Sequence, residues 1–135
     1  MFHSLTITIA INRPHAEVYE FLAEPLNLPT WATGVERIEH REGDDWVAST
    51  SSGELIFRYT PRNAYGVLDF SIRRRDEDEP RAVPARVFAN GDGAELTLTH
   101  YQRAGMSEAE FDSEAEWIRA DFETLKALLE APQGL

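Results

Sequence analysis

One histidine and two carboxylates are the side chains of this sequence best suited to moving protons. His100 lies in a segment of alternating apolar residues, while Glu114 and Asp121 lie seven residues apart in a C-terminal segment of helical pattern. An imidazole titrates close to neutral pH, and apolar neighbours raise the pKa of a carboxyl group. His100 and Asp121 could therefore serve as catalytic acid and base in an aldol-type cyclisation or a dehydration. A core histidine and rim carboxylates, in water or paired with an arginine, are the structural alternatives.

Aromatic side chains are a second candidate feature, because ligand pockets are lined mostly by apolar and aromatic groups. Aromatic residues at these spacings belong more often to an ordinary core, and the sequence leaves both interpretations open. Two aliphatic residues, Leu98 near His100 and Ile118 in the C-terminal segment, join the set. The predicted ligand-binding residues are Trp31, Phe57, Tyr59, Phe70, Leu98, His100, Glu114, Trp117, Ile118 and Asp121.

The composition argues against several other kinds of site. The 135 residues include no cysteine, so no disulfide framework or thiol chemistry is expected. A net charge of −11 argues against binding the phosphate backbone of a nucleic acid. The sequence has no Gly-x-Ser-x-Gly motif, and its histidines are too scattered to form a metal pair, so we predict neither metal nor cofactor. These histidines are His3, His15, His40 and His100.

The C-terminal segment, residues 107–131, is predicted to form one long helix. Ser107 and Glu110 have the spacing of a capping box, and Pro132 follows the end. Trp117 and Leu128 widen the apolar stripe on one side only, and Glu114 and Asp121 fall within that widened sector. We therefore expect a helix that lies across a sheet with a gap at one side. The apolar stripe consists of Phe111, Ala115, Ile118, Phe122, Leu125 and Leu129.

The rest of the chain is predicted to consist mainly of strands. Residues 5–11 alternate as a strand, Pro14 opens a short helix that ends near Glu24 and Pro25, and residues 26–31 form a second short turn or helix. Runs of turn-forming residues divide the chain from residue 35 to residue 102 into extended segments. The six further predicted strands are residues 35–41, 46–50, 55–60, 67–74, 82–89 and 94–102.

The turn Asn90-Gly91-Asp92-Gly93 is the strongest hairpin signal in the sequence, because Asn-Gly and Asp-Gly accept the positive φ of a tight turn. Either dipeptide at its centre pairs odd positions before the turn with even positions after it. His100 is therefore predicted to point inward, whereas Arg86 and Tyr101 point outward. The inward set is Val83, Ala85, Val87, Leu96, Leu98 and His100, and in the middle strands Leu55, Phe57, Tyr59, Leu68, Phe70 and Ile72.

The basic triplet Arg73-Arg74-Arg75 is followed at once by the acidic residues 76–79. Opposite charges in direct succession are typical of a solvated loop, so we assign this segment no binding role.

The order of elements predicts an α+β fold: a seven-stranded antiparallel sheet wrapped around a long C-terminal helix, with two short helices between strands 1 and 2. The sequence resembles the START-like helix-grip proteins of the SRPBCC superfamily. The resemblance lies in residues 9–18, Trp31, residues 93–100, Trp117 and residues 125–130. It covers nearly the whole chain, so we expect one START-like domain over residues 1–135.

The resemblance implies a deep apolar cavity between the sheet and the C-terminal helix. Across that superfamily such cavities hold lipids, sterols, polyketides and other small hydrophobic molecules. We therefore expect a protein that binds a small hydrophobic or aromatic molecule of lipid, polyketide or isoprenoid type. One alternative is a polyketide cyclase or dehydratase that uses His100 and Asp121. Another is an interaction module like the co-chaperone activators, which predicts a filled core without a cavity.

Location and partners are predicted from simple properties of the sequence. The N-terminus has neither a basic region nor a long apolar run, and no window approaches about 18 apolar residues. We expect a cytoplasmic protein without a signal peptide or membrane span. The outward sheet face could also pair in a homodimer, through Thr6, Thr8, Thr97 and Thr99.

Overall fold

The computed structural model describes residues 1–76 and 79–132. It confirms the α+β class, because strands make up the largest part of the regular structure and a long helix follows them. A first strand is followed by helix α1 (His15–Ala23) and a short 3₁₀ helix (Pro25–Thr30) before the remaining strands, and helix α2 (Glu108–Glu130) comes last. The strands are β1 (His3–Ile11), β2 (Val35–His40), β3 (Trp46–Thr50), β4 (Gly53–Tyr59), β5 (Phe70–Arg74), β6 (Arg81–Val83), β7 (Ala85–Asn90) and β8 (Gly93–Gln102).

The first sheet contains β1, β8 and β7 in that order, all antiparallel. The predicted hairpin register is confirmed, since Asn90 pairs with Gly93 and Ala85 pairs with Leu98. His100 accordingly lies on the inward face and is buried. The alternation of side chains along β8 therefore decides which of its residues reach the core.

The second sheet contains β2 to β6 in chain order. Phe57 of β4 pairs with Ile72 of β5, and Tyr59 pairs with Phe70, so the predicted inward sets share one face. Five of the six predicted residues belong to an apolar cluster around the buried side chain of Phe57, whereas Leu68 packs against the main core. The concave side of this sheet is thus apolar through its middle.

The predicted single sheet of seven strands is wrong: the residues that the structure describes form eight strands, divided between two sheets. The predicted strand 82–89 is interrupted at Pro84, with Val83 paired to Phe70 in the second sheet and Ala85 paired to Leu98 in the first. Proline has no N–H to donate to a ladder of hydrogen bonds. The chain therefore leaves one sheet and enters the other at this residue.

Helix α2 begins as predicted, with a capping box between Ser107 and Glu110. Its predicted stripe is buried at Phe111, Ala115, Phe122 and Leu125, which pack on the first sheet. The side of the helix on which Trp117 and Leu128 were predicted to widen the apolar stripe is not buried, since Trp117 is 52% exposed and Leu128 is 42% exposed. Among the described residues, no helix combines the length and the apolar character needed to cross a bilayer.

The C-terminal end of α2 is fixed to the end of β1 by polar contacts. The Asn12 N–H donates to Glu130 Oε2 at 2.6 Å, and Lys126 Nζ donates to the same oxygen at 2.8 Å. Arg13 Nε donates to the carbonyl oxygen of Leu129 at 2.8 Å. The Asn12 amide first, and then Lys126, lower the pKa of the Glu130 carboxyl group.

Glu130→Gln is expected to lower the melting temperature at neutral pH and to have little effect in acid. A carboxyl group whose pKa is lowered by folding stabilises the native state above its unfolded pKa, and this contribution is lost as the pH falls through the folded pKa. Melting curves between pH 7 and pH 3 would therefore converge for the two proteins below roughly pH 4. Glu123→Gln, which removes the same charge from an exposed site on α2, should show no such convergence. A constant difference for Glu130→Gln across the pH range would contradict this account.

Candidate functional site

A cavity of about 770 Å³ lies between the middle of α2, the second sheet and the last residues of β8. The break at Pro84 explains its position. Strand β7 pairs with β8 only as far as Leu98, so residues 100–102 of β8 have a neighbouring strand on the β1 side alone. The space on their other side is bounded by β5, β6 and helix α2 instead.

Six of the ten predicted ligand-binding residues line this cavity. The apolar wall comes from both sheets and from α2, with Leu98 and Phe70 on strands and Ile118 on the helix. Exposed Trp117 lies where the cavity meets the solvent. The six residues are Phe70, Leu98, His100, Glu114, Trp117 and Ile118.

The other predicted aromatic residues lie outside the wall. Trp31 packs against the main core. Phe57 and Tyr59 stack on each other with ring centroids 5.9 Å apart, and Phe57 lies 5.7 Å from the ring of Phe70. Burial raises the pKa of the Tyr59 hydroxyl, which has no hydrogen-bond partner among the described residues. Phe57 and Tyr59 thus support the wall from behind through Phe70, as core aromatic residues do.

Asp121 also lies outside the cavity wall. Its Oδ1 accepts hydrogen bonds from the backbone N–H of Thr33 at 3.2 Å and from the Thr33 hydroxyl at 2.5 Å. Thr33 and the two residues after it do line the cavity. Asp121 therefore holds in place the loop at Thr33, which lines the cavity. Because Asp121 itself lies outside the wall, it does not share a site with His100.

His100 makes a structural contact through the ring nitrogen that faces the helix. Nε2 lies 3.1 Å from the carbonyl oxygen of Phe111, and the two rings stack at 4.6 Å. A carbonyl oxygen only accepts, so Nε2 carries the hydrogen. Glu114 Oε2 lies 3.8 Å from the same nitrogen. His100 therefore joins β8 to the first turns of α2, which is the structural alternative considered for it from the sequence.

The charged part of the wall was not predicted from the sequence. Arg74 ends the predicted strand 67–74, but the basic triplet was given no binding role. Phe70, Ile72 and Arg74 continue one alternating pattern, and Arg81 pairs directly with Ile72. Both arginines therefore share the inward face of the second sheet, and period-two alternation through the basic triplet would have shown this for Arg74. The missed residues of the wall include Arg74, Arg75, Arg81, Tyr101 and Arg103.

Within residues 1–76 and 79–132, no group of three or more His, Cys, Asp or Glu side chains could hold a metal ion. The polar groups of the wall include instead arginines, carboxylates and one imidazole. Such groups orient or exclude a ligand by charge and hydrogen bonding.

The two sheets, the long C-terminal helix and the space between them define a helix-grip fold of the START-like kind. Solved structures share this fold. The chain matches the solution structure of the Aha1 dimer from Colwellia psychrerythraea with a TM-score of 0.77 and 15% identity, over 98% of this chain and 99% of that one. It matches Ara h 8.0201 with a TM-score of 0.72 and 13% identity, over 98% and 100% of the two chains.

A third similar structure is the di-domain ARO/CYC BexL from the BE-7585A biosynthetic pathway. The TM-score is 0.72 at 16% identity, over 95% of this chain and 46% of that protein. No family model matches the sequence, and no curated protein matches it. Similarity at these identities shows the fold alone, and at that level the predicted resemblance is confirmed.

Proposed function

We propose that the protein binds a small hydrophobic or aromatic molecule in the cavity beneath α2. The observation that carries this proposal is the cavity itself. Its volume of about 770 Å³ falls within the range of roughly 300–1,000 Å³ that is usual for small-molecule sites. Leu98, Ile118 and Phe70 give it an apolar wall, and the exposed edge near Trp117 gives it an opening.

The affinity of such a site would come mainly from apolar surface removed from water. A ligand that loses roughly 250 Å² of apolar surface gains about 6 kcal/mol, before the entropic cost of association is subtracted. This gain alone corresponds to a dissociation constant of about 40 μM at best, so a ligand bound more tightly than that must also make hydrogen bonds with the polar residues of the wall.

Catalysis as a cyclase or dehydratase is the alternative function, and the geometry favours it less. The Nε2 of His100 donates to Phe111, so this nitrogen is not available to accept a proton. The carboxylate of Asp121 is held by Thr33 outside the wall. The catalytic roles of His100 and Asp121 stay predictions, and we rank them below ligand binding.

The interaction-module alternative predicts a filled core, and the cavity argues against it. The similar Aha1 structure is nevertheless a dimer. We therefore keep homodimer formation as a proposal for this chain. The surface for it would be the outward face of the first sheet, where Thr6 pairs with Thr99 and Thr8 pairs with Thr97. Light scattering would measure the mass in solution.

The binding proposal can be tested with N-phenyl-1-naphthylamine, an uncharged apolar dye that fluoresces when it leaves water. We expect saturable binding of one dye per chain. Ile118→Trp should weaken that binding at least about 10-fold, because the larger indole would occupy the cavity and displace apolar contact with the dye. If Ile118→Trp does not fold, Leu98→Phe replaces it as the cavity-filling variant, because it adds volume at the opposite wall of the cavity.

Ala120→Trp is the matched control, because Ala120 is exposed on α2 and does not line the cavity. It should bind the dye as the unchanged protein does. Lack of saturable binding by the unchanged protein, or equal binding by folded cavity-filling variants, would contradict the proposal. If the dye binds as expected, native mass spectrometry of protein purified from its own host would give the mass of the natural ligand.

A further inference from the structure

The charges of the cavity wall differ from those of the protein as a whole. The chain carries a net charge of −11, yet the described part of the wall contains more arginines than carboxylates. Positive groups gathered at an apolar cavity in an acidic protein indicate a local preference for an anion. The charged residues of the wall are Arg74, Arg75, Arg81 and Arg103, with Glu54, Asp76 and Glu114.

Two of these arginines form no ion pair with a carboxylate of the described residues, although the charge of Glu114 acts on Arg103 and partly offsets the lowering of its pKa by burial. Arg75 forms an ion pair with Glu54. Within residues 1–76 and 79–132, by contrast, the Arg81 guanidinium makes no ion pair or hydrogen bond, and Arg103 makes no ion pair. Both side chains are half-buried, so water solvates them only in part.

The structure holds these two arginines close to each other. The Arg103 guanidinium donates to the carbonyl oxygen of Ala82, the residue that follows Arg81, at 2.7 Å. It also lies over the ring of Tyr101, 5.6 Å from the ring centroid. Burial, and next the positive charge of Arg81, lower the pKa of Arg103. Two like charges in a partly desolvated wall repel each other, and an anion between them would remove that repulsion.

We propose that the ligand of this cavity is amphipathic, with an oxyanion head group bound by Arg81 and Arg103 and an apolar body against Phe70, Leu98 and Ile118. A carboxylate, sulfonate or phosphate presents two oxygens at the spacing of a guanidinium fork, and such charge-assisted hydrogen bonds are the stronger kind. Arg81 shares the inward face of its sheet with Ile72 and Val83, so the same surface offers both apolar and cationic contact. This inference rests on the proposed function and adds the chemical class of the ligand.

Two dyes with one apolar body test the head group. The dye 8-anilinonaphthalene-1-sulfonate differs from N-phenyl-1-naphthylamine by a sulfonate. At low ionic strength the protein should bind the sulfonated dye about 10-fold more tightly than the uncharged one. Arg81→Gln should abolish this preference, and a cooperative melting transition would show that the variant is folded.

Arg62→Gln is the matched control, since it removes the same charge at a residue that pairs with Glu20 and does not line the cavity. It should keep the preference. Equal affinity of the unchanged protein for both dyes, or a preference that survives Arg81→Gln, would overturn the anionic head group and leave the apolar site intact. Failure of the uncharged dye to bind would overturn both proposals.

Displacement of the uncharged dye by decanoate, decyl phosphate and decanol identifies the head group. Stronger displacement by decanoate supports a carboxylate ligand, and stronger displacement by decyl phosphate supports a phosphate ligand. Equal displacement by all three would overturn the inference, because the alkyl chain alone would then account for binding.

Discussion

Replacing Gly66 by alanine is expected to destabilise the protein by about 3 kcal/mol or more, a large fraction of the roughly 5–15 kcal/mol by which a domain is usually stable. Gly66 has a φ of +71°, and a Cβ built on it would lie 2.0 Å from the carbonyl oxygen of Val87. The Val87 N–H donates to the carbonyl oxygen of Gly66 at 2.9 Å, so the two backbones approach because they are hydrogen-bonded. Relief of the clash would require breaking this contact at the edge of β7.

Gly43→Ala separates the two causes of that loss. Gly43 has a φ of +62° but no atom within 4 Å of an added Cβ, so alanine there meets only the strain of the left-handed conformation. We expect a loss of about 1 kcal/mol for Gly43→Ala. Urea unfolding of both variants would measure the difference. Equal losses would show that the approach of Gly66 to Val87 is not a significant constraint.

The contact between Gly66 and Val87 illustrates which parts of the fold the sequence could not predict. Period-two alternation and the turn at residues 90–93 predict local features, and these predictions are confirmed in the register of β7 and β8. The approach of residue 66 to residue 87 depends on how a loop crosses a strand, and no local pattern encodes it. Pro84 was visible in the sequence, but the change of sheet there depends on the positions of β5 and β8 on either side.

For the candidate site, too, the sequence predicted local features and not the positions of the elements relative to one another. Alternation gives the face on which a side chain lies, so His100 and Phe70 were correctly placed inward. It does not give the position along the strand relative to α2, and Phe57 and Tyr59 share the inward face yet lie behind the wall. Asp121 lies outside the wall, where its partner Thr33 belongs to a loop whose path the sequence does not specify.

The arginines of the wall were missed for a different reason. The charges of Arg74 and Arg75 were judged from neighbours along the chain, where acidic residues follow the basic triplet, and Arg81 and Arg103 were not considered. In a strand the relevant neighbours lie two residues away and on the paired strand. Arg81 pairs with Ile72, and that cross-strand partner makes its inward position evident.

Two residues of α2 that belong to the same apolar stripe should respond differently to truncation. Leu125→Ala is expected to destabilise the protein by about 3 kcal/mol, because Leu125 is 0% exposed in the main core and its truncation leaves an empty space. Ile118→Ala should cost less than half as much, since one side of Ile118 faces the cavity and loses few contacts. Urea unfolding would measure both losses.

The difference between these two residues bears directly on function, because it distinguishes the part of α2 that anchors the helix from the part that covers the cavity. Ile118→Ala should still bind N-phenyl-1-naphthylamine, although more weakly, because it removes one apolar contact and leaves the rest of the cavity wall in place. If Ile118→Ala costs as much stability as Leu125→Ala, the middle of α2 is packed as tightly as its C-terminal half. A ligand beneath Ile118 would then have no space, and the helix would serve the fold alone.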